Sequence, residues 1–267
     1  MTTLTREKIR KNLISGGVID DATLSRLKAF YPTIDRCPTC NESKEYRLAG
    51  EVHPCDCEMQ KLLQKHYFAA NIGRAYHTLG FDHFVTEESL MIRSKIIDYL
   101  YDWDNNRYFG HGITFNGGLG TGKTLAMSII LKELTKRGFR THFITFDDMV
   151  NIFGSAWNND EAKYLSNKLR SVDILGIDEL KVDSRNSSGF LTSAAESIIR
   201  HRTVNLLPTL ITTNLDKEDE QKHFAKSYSL LSALNIRIET QGLDVRGSIV
   251  REREHIMKGN NERRPVN

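Results

Sequence analysis

Long apolar runs are absent from this sequence: nowhere in its 267 residues is there a stretch approaching the roughly eighteen that a membrane helix needs. The first thirty residues hold no apolar core of a secretory signal, so the expected compartment is the cytoplasm, with no membrane partner. Neither an internal repeat nor a low-complexity tract is present. Charge of one sign is scarce as well. Thirty-seven Lys and Arg against 34 Asp and Glu leave a formal net charge of +3, too weak alone to argue for nucleic acid. One local imbalance stands out: Arg246, Arg251, Arg253, Lys258, Arg263 and Arg264 meet only Glu252, Glu254 and Glu262, which suits a solvated helix and tail or a phosphate contact. Cysteine is rare, with 4 in all, and every one lies between residues 37 and 57. What remains is the composition of a globular protein, 39% hydrophobic and 27% charged, long enough for one large α/β domain and a small module.

Two short helical patterns open the chain. Ile9, Leu13 and Ile14 share a face that stops at Gly16-Gly17; Leu24, Leu27 and Phe30 share another, begun by Asp20 or Asp21 and stopped by Pro32. After the cysteines come a polar helical stretch at 58–70 and a joint at Asn71-Ile72-Gly73. Strands are expected at 113–115, 141–146, 172–177 and 209–213, and helices at 124–136, 147–169 and 190–203. Such alternation predicts a parallel sheet sandwiched by helices.

Gly117-Gly118-Leu119-Gly120-Thr121-Gly122-Lys123-Thr124 satisfies the phosphate-loop pattern G-x-x-x-x-G-K-[ST]. It follows an apolar strand and opens an amphipathic helix, the context the pattern requires. Glycines allow backbone N–H groups to turn inward as an anion nest, at the positive end of a helix dipole. Lys123 is placed to reach the β- and γ-phosphates of ATP, and Thr124 to offer a hydroxyl to Mg²⁺. Two further strand ends complete an ATPase set. In Val172-Asp173-Ile174-Leu175-Gly176-Ile177-Asp178-Glu179, Asp178 is the Mg²⁺ candidate and Glu179 the base or water-positioning candidate. In Thr209-Leu210-Ile211-Thr212-Thr213-Asn214, Asn214 is a γ-phosphate sensor if that strand lies beside the loop, and otherwise a cap for the turn that follows.

The cysteines read Cys37-Pro-Thr-Cys40 and Cys55-Asp-Cys57. Two close pairs can complete a tetrahedral Cys₄ zinc site with no open position, hence a structural one. Disulfides would need an oxidising compartment, and no thioredoxin-like pattern supports a redox pair. His53 is a possible substitute ligand. Tyr67, Phe68, Tyr76, Phe81 and Phe84 precede the first expected strand and read mainly as core.

The phosphate loop, the Ile177-Asp178-Glu179 strand end and the Thr212-Thr213-Asn214 strand end together resemble the AAA+ class of ATPases. Leu206-Leu207-Pro208-Thr209, Ser232-Ala233-Leu234-Asn235-Ile236-Arg237 and Gly242-Leu243-Asp244-Val245-Arg246 narrow the resemblance to DnaC/DnaI-type replicative helicase loaders, relatives of the transposition ATPase IstB, over residues 66–250. The resemblance implies a P-loop AAA+ (ASCE) fold with a truncated lid. It implies that Arg237 is an arginine finger acting on a neighbour's ATP, although Ala233, Asn235 and Ile236 depart from the usual finger motif. It implies that Arg246 is a second sensor acting in cis, and that one of the aromatics walls the adenine. It also implies an N-terminal zinc-binding adaptor (1–65) that grips the helicase, an ATPase domain (66–267), self-association into a ring or spiral, and action on single-stranded DNA. A transposition ATPase that selects target DNA and a nucleotide-gated adaptor with little turnover are the alternatives.

Overall fold

The computed structural model describes residues 4–15, 19–155, 160–181, 190–241, 250, 254 and 262–267. Helices α1 (Arg6–Ser15) and α2 (Asp21–Phe30) come first. Asp20 is the N-cap of α2, its carboxylate accepting from the Thr23 N–H at 2.7 Å. An antiparallel hairpin, β1 (Glu45–Leu48) and β2 (Glu51–Pro54), lies between the two cysteine pairs, and α3 (Cys57–Ala69) starts on the last cysteine. Asn71, with φ +58°, turns the chain out of α3, at the joint expected there. Helices α4 (Glu87–Tyr101) and α5 (Trp103–Phe109) lead into the sheet.

The remaining elements alternate: β3 (Ile113–Gly117), α6 (Lys123–Lys136), β4 (Thr141–Thr145), α7 (Phe146–Ser155), α8 (Asp160–Ser171), β5 (Ile174–Leu180), α9 (Phe190–Val204), β6 (Thr209–Thr213), α10 (Lys217–His223), α11 (Ala225–Leu234) and β7 (Ile236–Thr240). The sheet order is β4-β5-β6-β3-β7 and every pairing is parallel. Two features depart from the sequence expectation. The helical stretch after β4 divides into α7 and α8, and a fifth strand, β7, occupies the edge beside β3. Its short Ile-Arg-Ile-Glu-Thr alternation begins with Ile236 and Arg237, the last two residues read as a finger motif, and too few apolar side chains mark it as a strand.

Each central strand is apolar on both faces, as a doubly covered parallel sheet demands. Ile174 of β5 and Leu210 of β6 join the cluster under α6 with Leu125, Ile129 and Ile130; Leu175, Ile177 and Ile211 join the opposite one with Phe146, Leu169 and Ile198. Gly176 is required where α6 lies close on β5, because a Cβ there would meet Met127 Sδ at 2.7 Å. The α6-side cluster also includes Leu13, Met59, Leu63 and Tyr67, so the N-terminal helices and the sheet share one core. Residue 65 lies inside α3. The chain end returns to the cysteine region: Gln60 bonds the Val266 backbone, Tyr67 Oη donates to the Asn267 carbonyl at 3.0 Å, and Asn267 N donates to the His77 carbonyl at 2.8 Å. Arg264 pairs with Asp82, so this part of the basic tail is engaged by the protein.

Candidate nucleotide site and cysteine centre

The phosphate loop joins the C-terminal end of β3 to the N-terminus of α6, one strand in from the edge of the sheet, where β6 and β7 flank β3. Gly117 (φ +148°), Gly120 (+78°) and Gly122 (+87°) take conformations that side chains resist. A Cβ on Gly117 would also run into the Thr240 carbonyl of β7. Thr240 buttresses the loop: its hydroxyl donates to Asn116 O at 2.9 Å and lies 2.7 Å from that of Thr121. Asn116 Nδ2 donates to the Leu215 carbonyl, tying β3 to the turn after Asn214. Lys123 is buried, and its ammonium donates to the Gly117 and Gly118 carbonyls at 2.7 and 2.5 Å.

Beneath the loop is a continuous polar chain. Thr124 Oγ1 donates toward both Asp178 oxygens, at 3.0 and 3.2 Å. Thr212 Oγ1 donates to Asp178 Oδ1 at 2.6 Å and accepts from the Glu179 N–H at 2.8 Å. Asp178 is 6% exposed, and burial raises its pKa above the ordinary carboxylate value. The Thr212 and Thr124 hydrogen bonds oppose that rise, Glu179 adds to it and Lys123 counters it. Glu179 is exposed and has φ +58°, at a break in the β5–β6 register between Ile177 and Leu180. The two acids therefore diverge, Asp178 inward to the threonines and Glu179 outward.

A cavity of about 80 Å³ is lined by Tyr76, the loop from Leu119 to Leu125, Glu179, Thr212, Thr213 and Asn214. The structure thus brings together the loop, Glu179 and Asn214, with Asp178 one hydrogen bond behind. Of the aromatics, Tyr67, Phe68 and Phe84 are buried in the core, Phe81 packs on it, and Tyr76 alone among these five borders the cavity. Arg237 is placed elsewhere. It sits within β7, paired in register with Thr114, and its guanidinium binds both oxygens of the buried Glu220, at 2.9 and 3.2 Å, and Glu239 at 2.9 Å. Against the opposing cost of burial, these carboxylates raise its pKa further. It lines a separate, largely apolar cavity of about 220 Å³ with Leu180, Phe224 and Leu231. Arg246 lies outside the described residues. Thr212, Thr240, Asn116 and Tyr76 were not singled out in the sequence as loop or acid partners. Thr212 carried a signal as part of the quoted Thr-Thr-Asn strand end, and Tyr76 as one of the five aromatics of which one was expected to wall the adenine; Thr240 and Asn116 carried none.

The Sγ atoms of Cys37, Cys40, Cys55 and Cys57 all lie within 4.8 Å of one another, with Cys37–Cys55 at 3.5 Å and Cys40–Cys57 at 3.0 Å. A tetrahedral zinc–thiolate centre has sulfur–sulfur edges of about 3.8 Å, so the donor set and its spread fit that ion. His53 instead stacks on Tyr46 of the hairpin.

No protein-family model matches the chain. It is 21% identical over 138 residues to the replicative helicase loader DnaI of Bacillus subtilis (strain 168), an overlap of 52% of this chain and 44% of that protein. The chain thus matches less than half of that relative's length. The crystal structure of the DnaC helicase loader superposes with a TM-score of 0.55 at 22% identity, over 63% of this chain and all of that one (100%). The replication initiator DnaA bound to AMPPCP and single-stranded DNA superposes with a TM-score of 0.54 at 17% identity, over 70% of this chain and 56% of that one. The fold is that of the AAA+ ATPases.

Proposed function

We propose, from the premise that this chain resembles the DnaC/DnaI-type loaders in sequence and shares their AAA+ fold, that it is an ATPase that loads a replicative DNA helicase onto single-stranded DNA. The observation that carries the ATPase half is the hydrogen-bonded chain Thr124–Asp178–Thr212–Glu179 directly under a phosphate loop. ATP would lie across the loop, with Lys123 exchanging the Gly117 and Gly118 carbonyls for β- and γ-phosphate oxygens. Thr124 and Asp178 offer oxygen donors 3.0 Å apart, a set suited to a hard divalent cation. Bound Mg²⁺ would neutralise phosphate charge there. Glu179 orients the attacking water and takes up its proton, and Asn214 hydrogen-bonds the γ-phosphate. Arg246 of the same chain and Arg237 of a neighbour would stabilise the transferring phosphoryl group, which makes an assembled ring or spiral the unit of turnover.

Residues 1–65, with a structural zinc on the four cysteines, serve in this reading as the helicase adaptor, and residues 66–267 as the motor. ATP favours the assembled state on single-stranded DNA and hydrolysis releases it. Phosphate release by the full chain, with and without single-stranded DNA and a hexameric replicative helicase, tests the proposal. Lys123→Ala should abolish nucleotide binding, Glu179→Gln should bind ATP without turnover, and helicase should co-purify with the wild-type chain. Retention of a transposase in place of a helicase would overturn the partner assignment. ATP binding without stimulated turnover would reduce the chain to a nucleotide-gated adaptor.

A further inference from the structure

We infer that Thr212 is a positioning residue of the hydrolytic site, its hydroxyl holding the two acids in different directions at once. The inference rests on the ATPase reading for its consequence, but on geometry for its content. Asp178 and Glu179 are consecutive in β5, and a regular strand would send their side chains to opposite faces of the sheet, one of them among apolar residues. The structure avoids this by a break in register after Ile177, with Glu179 at φ +58°. That conformation is unfavourable for a side chain with a Cβ, and persists only where its surroundings hold it.

Thr212 supplies the hold. It faces the break from β6, is 1% exposed, and has one hydroxyl with two roles. Its oxygen accepts the Glu179 N–H at 2.8 Å, a donor that the register break takes out of the strand ladder. Its proton goes to Asp178 Oδ1 at 2.6 Å, leaving the carboxylate oriented toward Thr124. Removing the hydroxyl therefore loosens both acids in one step, taking the side-chain acceptor from the Glu179 N–H and leaving Asp178 to Thr124 alone. A β-branched side chain suits the task, because its restricted χ1 fixes the hydroxyl between the two acids. Thr213, the next residue, is bonded differently: its hydroxyl donates to the Leu180 carbonyl and closes the far side of the break.

The test compares Thr212→Val, which keeps the shape and removes the hydroxyl, with Thr212→Ser, which keeps the hydroxyl. In the nucleotide-free full chain, exchange of the Glu179 amide hydrogen, followed by NMR, should speed up about tenfold in Thr212→Val and return to the wild-type rate in Thr212→Ser. In steady-state phosphate release, Thr212→Val should lower kcat about 10- to 100-fold with little change in KM, and Thr212→Ser should recover most of it. A Glu179 amide as protected in Thr212→Val as in wild type would overturn the inference. So would a Thr212→Ser chain as impaired as Thr212→Val. If the wild-type chain releases no phosphate with ATP, Mg²⁺, single-stranded DNA and helicase, the ATPase reading fails, and the exchange comparison still decides whether Thr212 holds the acids.

Discussion

Lowering the pH from 7 to 5 should destabilise this protein through His77, by an amount the structure allows to be worked out. His77 is 2% exposed, packed against the rings of Tyr67 and Phe68, and its Nε2 donates to the Ile72 carbonyl at 2.9 Å. Since a carbonyl only accepts, Nε2 carries a proton. Burial pushes its pKa down to about 4 from 6.5, with Lys132 and Arg74 adding repulsion and the Ile72 bond opposing. A depressed folded-state pKa means that the unfolded chain binds the proton first. The contribution is therefore complete above pH 6.5 and is lost as the pH falls toward about 4. At pH 5 the difference amounts to about 2 kcal/mol, a sizeable share of a typical domain's stability. Urea unfolding of wild type and His77→Gln at both pH values isolates this share, because Gln retains a donor for Ile72 and does not titrate. Wild type should lose about 2 kcal/mol more than the variant between pH 7 and 5. His66, also lowered to about 4 by burial, and His142, buried and lowered well below its usual value, titrate in both chains and cancel. Equal losses in the two chains would refute the reasoning.

Arg202 is fully buried and donates to Thr209 Oγ1 and to the carbonyls of Leu169, Val172 and Pro208 at 2.8–3.1 Å. Arg202→Met should cost about 3–5 kcal/mol in chemical unfolding, since those carbonyls lose their donors, and a cost below about 1 kcal/mol would contradict this. Elemental analysis should find a single zinc per chain, and Cys37→Ser should release it and lower the melting temperature, because α3 begins on the same centre. Tyr76→Ala should weaken nucleotide affinity about tenfold and Tyr76→Phe hardly at all, as measured by titration with a fluorescent ATP analogue. Glu220→Gln should raise partner-stimulated phosphate release if Arg237 acts in trans, because its guanidinium is then held less firmly; unchanged turnover would count against the finger role.

The features that could be read from the sequence are those in which residue type and spacing do the work locally. The phosphate loop is one, since each of its glycines relieves a backbone conformation within a span of eight residues. The cysteine quartet is another, since two short spacings bring thiolates together without reference to the rest of the chain. Asp178 and Asn214 were legible because an apolar run gives way to a polar residue at each. What could not be read depends on long-range register. Thr212 becomes a partner of Glu179 only because β5 slips against β6, and Thr240 supports the loop only because β7 lies beside β3. Arg237 was read from a motif as acting on a neighbour's ATP, and within its own chain it pairs with Glu220 and Glu239, acceptors that no local pattern announced. The basic end of the chain was open between solvent and phosphate, and Arg264 is instead paired with Asp82.

Lys123 and Arg237 both rest on protein acceptors, and the two arrangements differ in what it takes to leave them. Lys123 is held by carbonyls of the loop itself, so an arriving phosphate replaces weak neutral acceptors with charged ones within the same few ångströms. Arg237 is held by a bidentate bond to a carboxylate that is 5% exposed, and leaving it would strand a buried charge on Glu220. Nucleotide alone provides no compensation for that, whereas a subunit contact that hydrates Glu220 or supplies it with another donor does. Among the described residues, no arginine lines the cavity at the phosphate loop. On the proposed reading, ATP binding is therefore a property of the single chain, and fast hydrolysis waits on assembly. On that same reading, the barrier between them is the separation of Arg237 from Glu220.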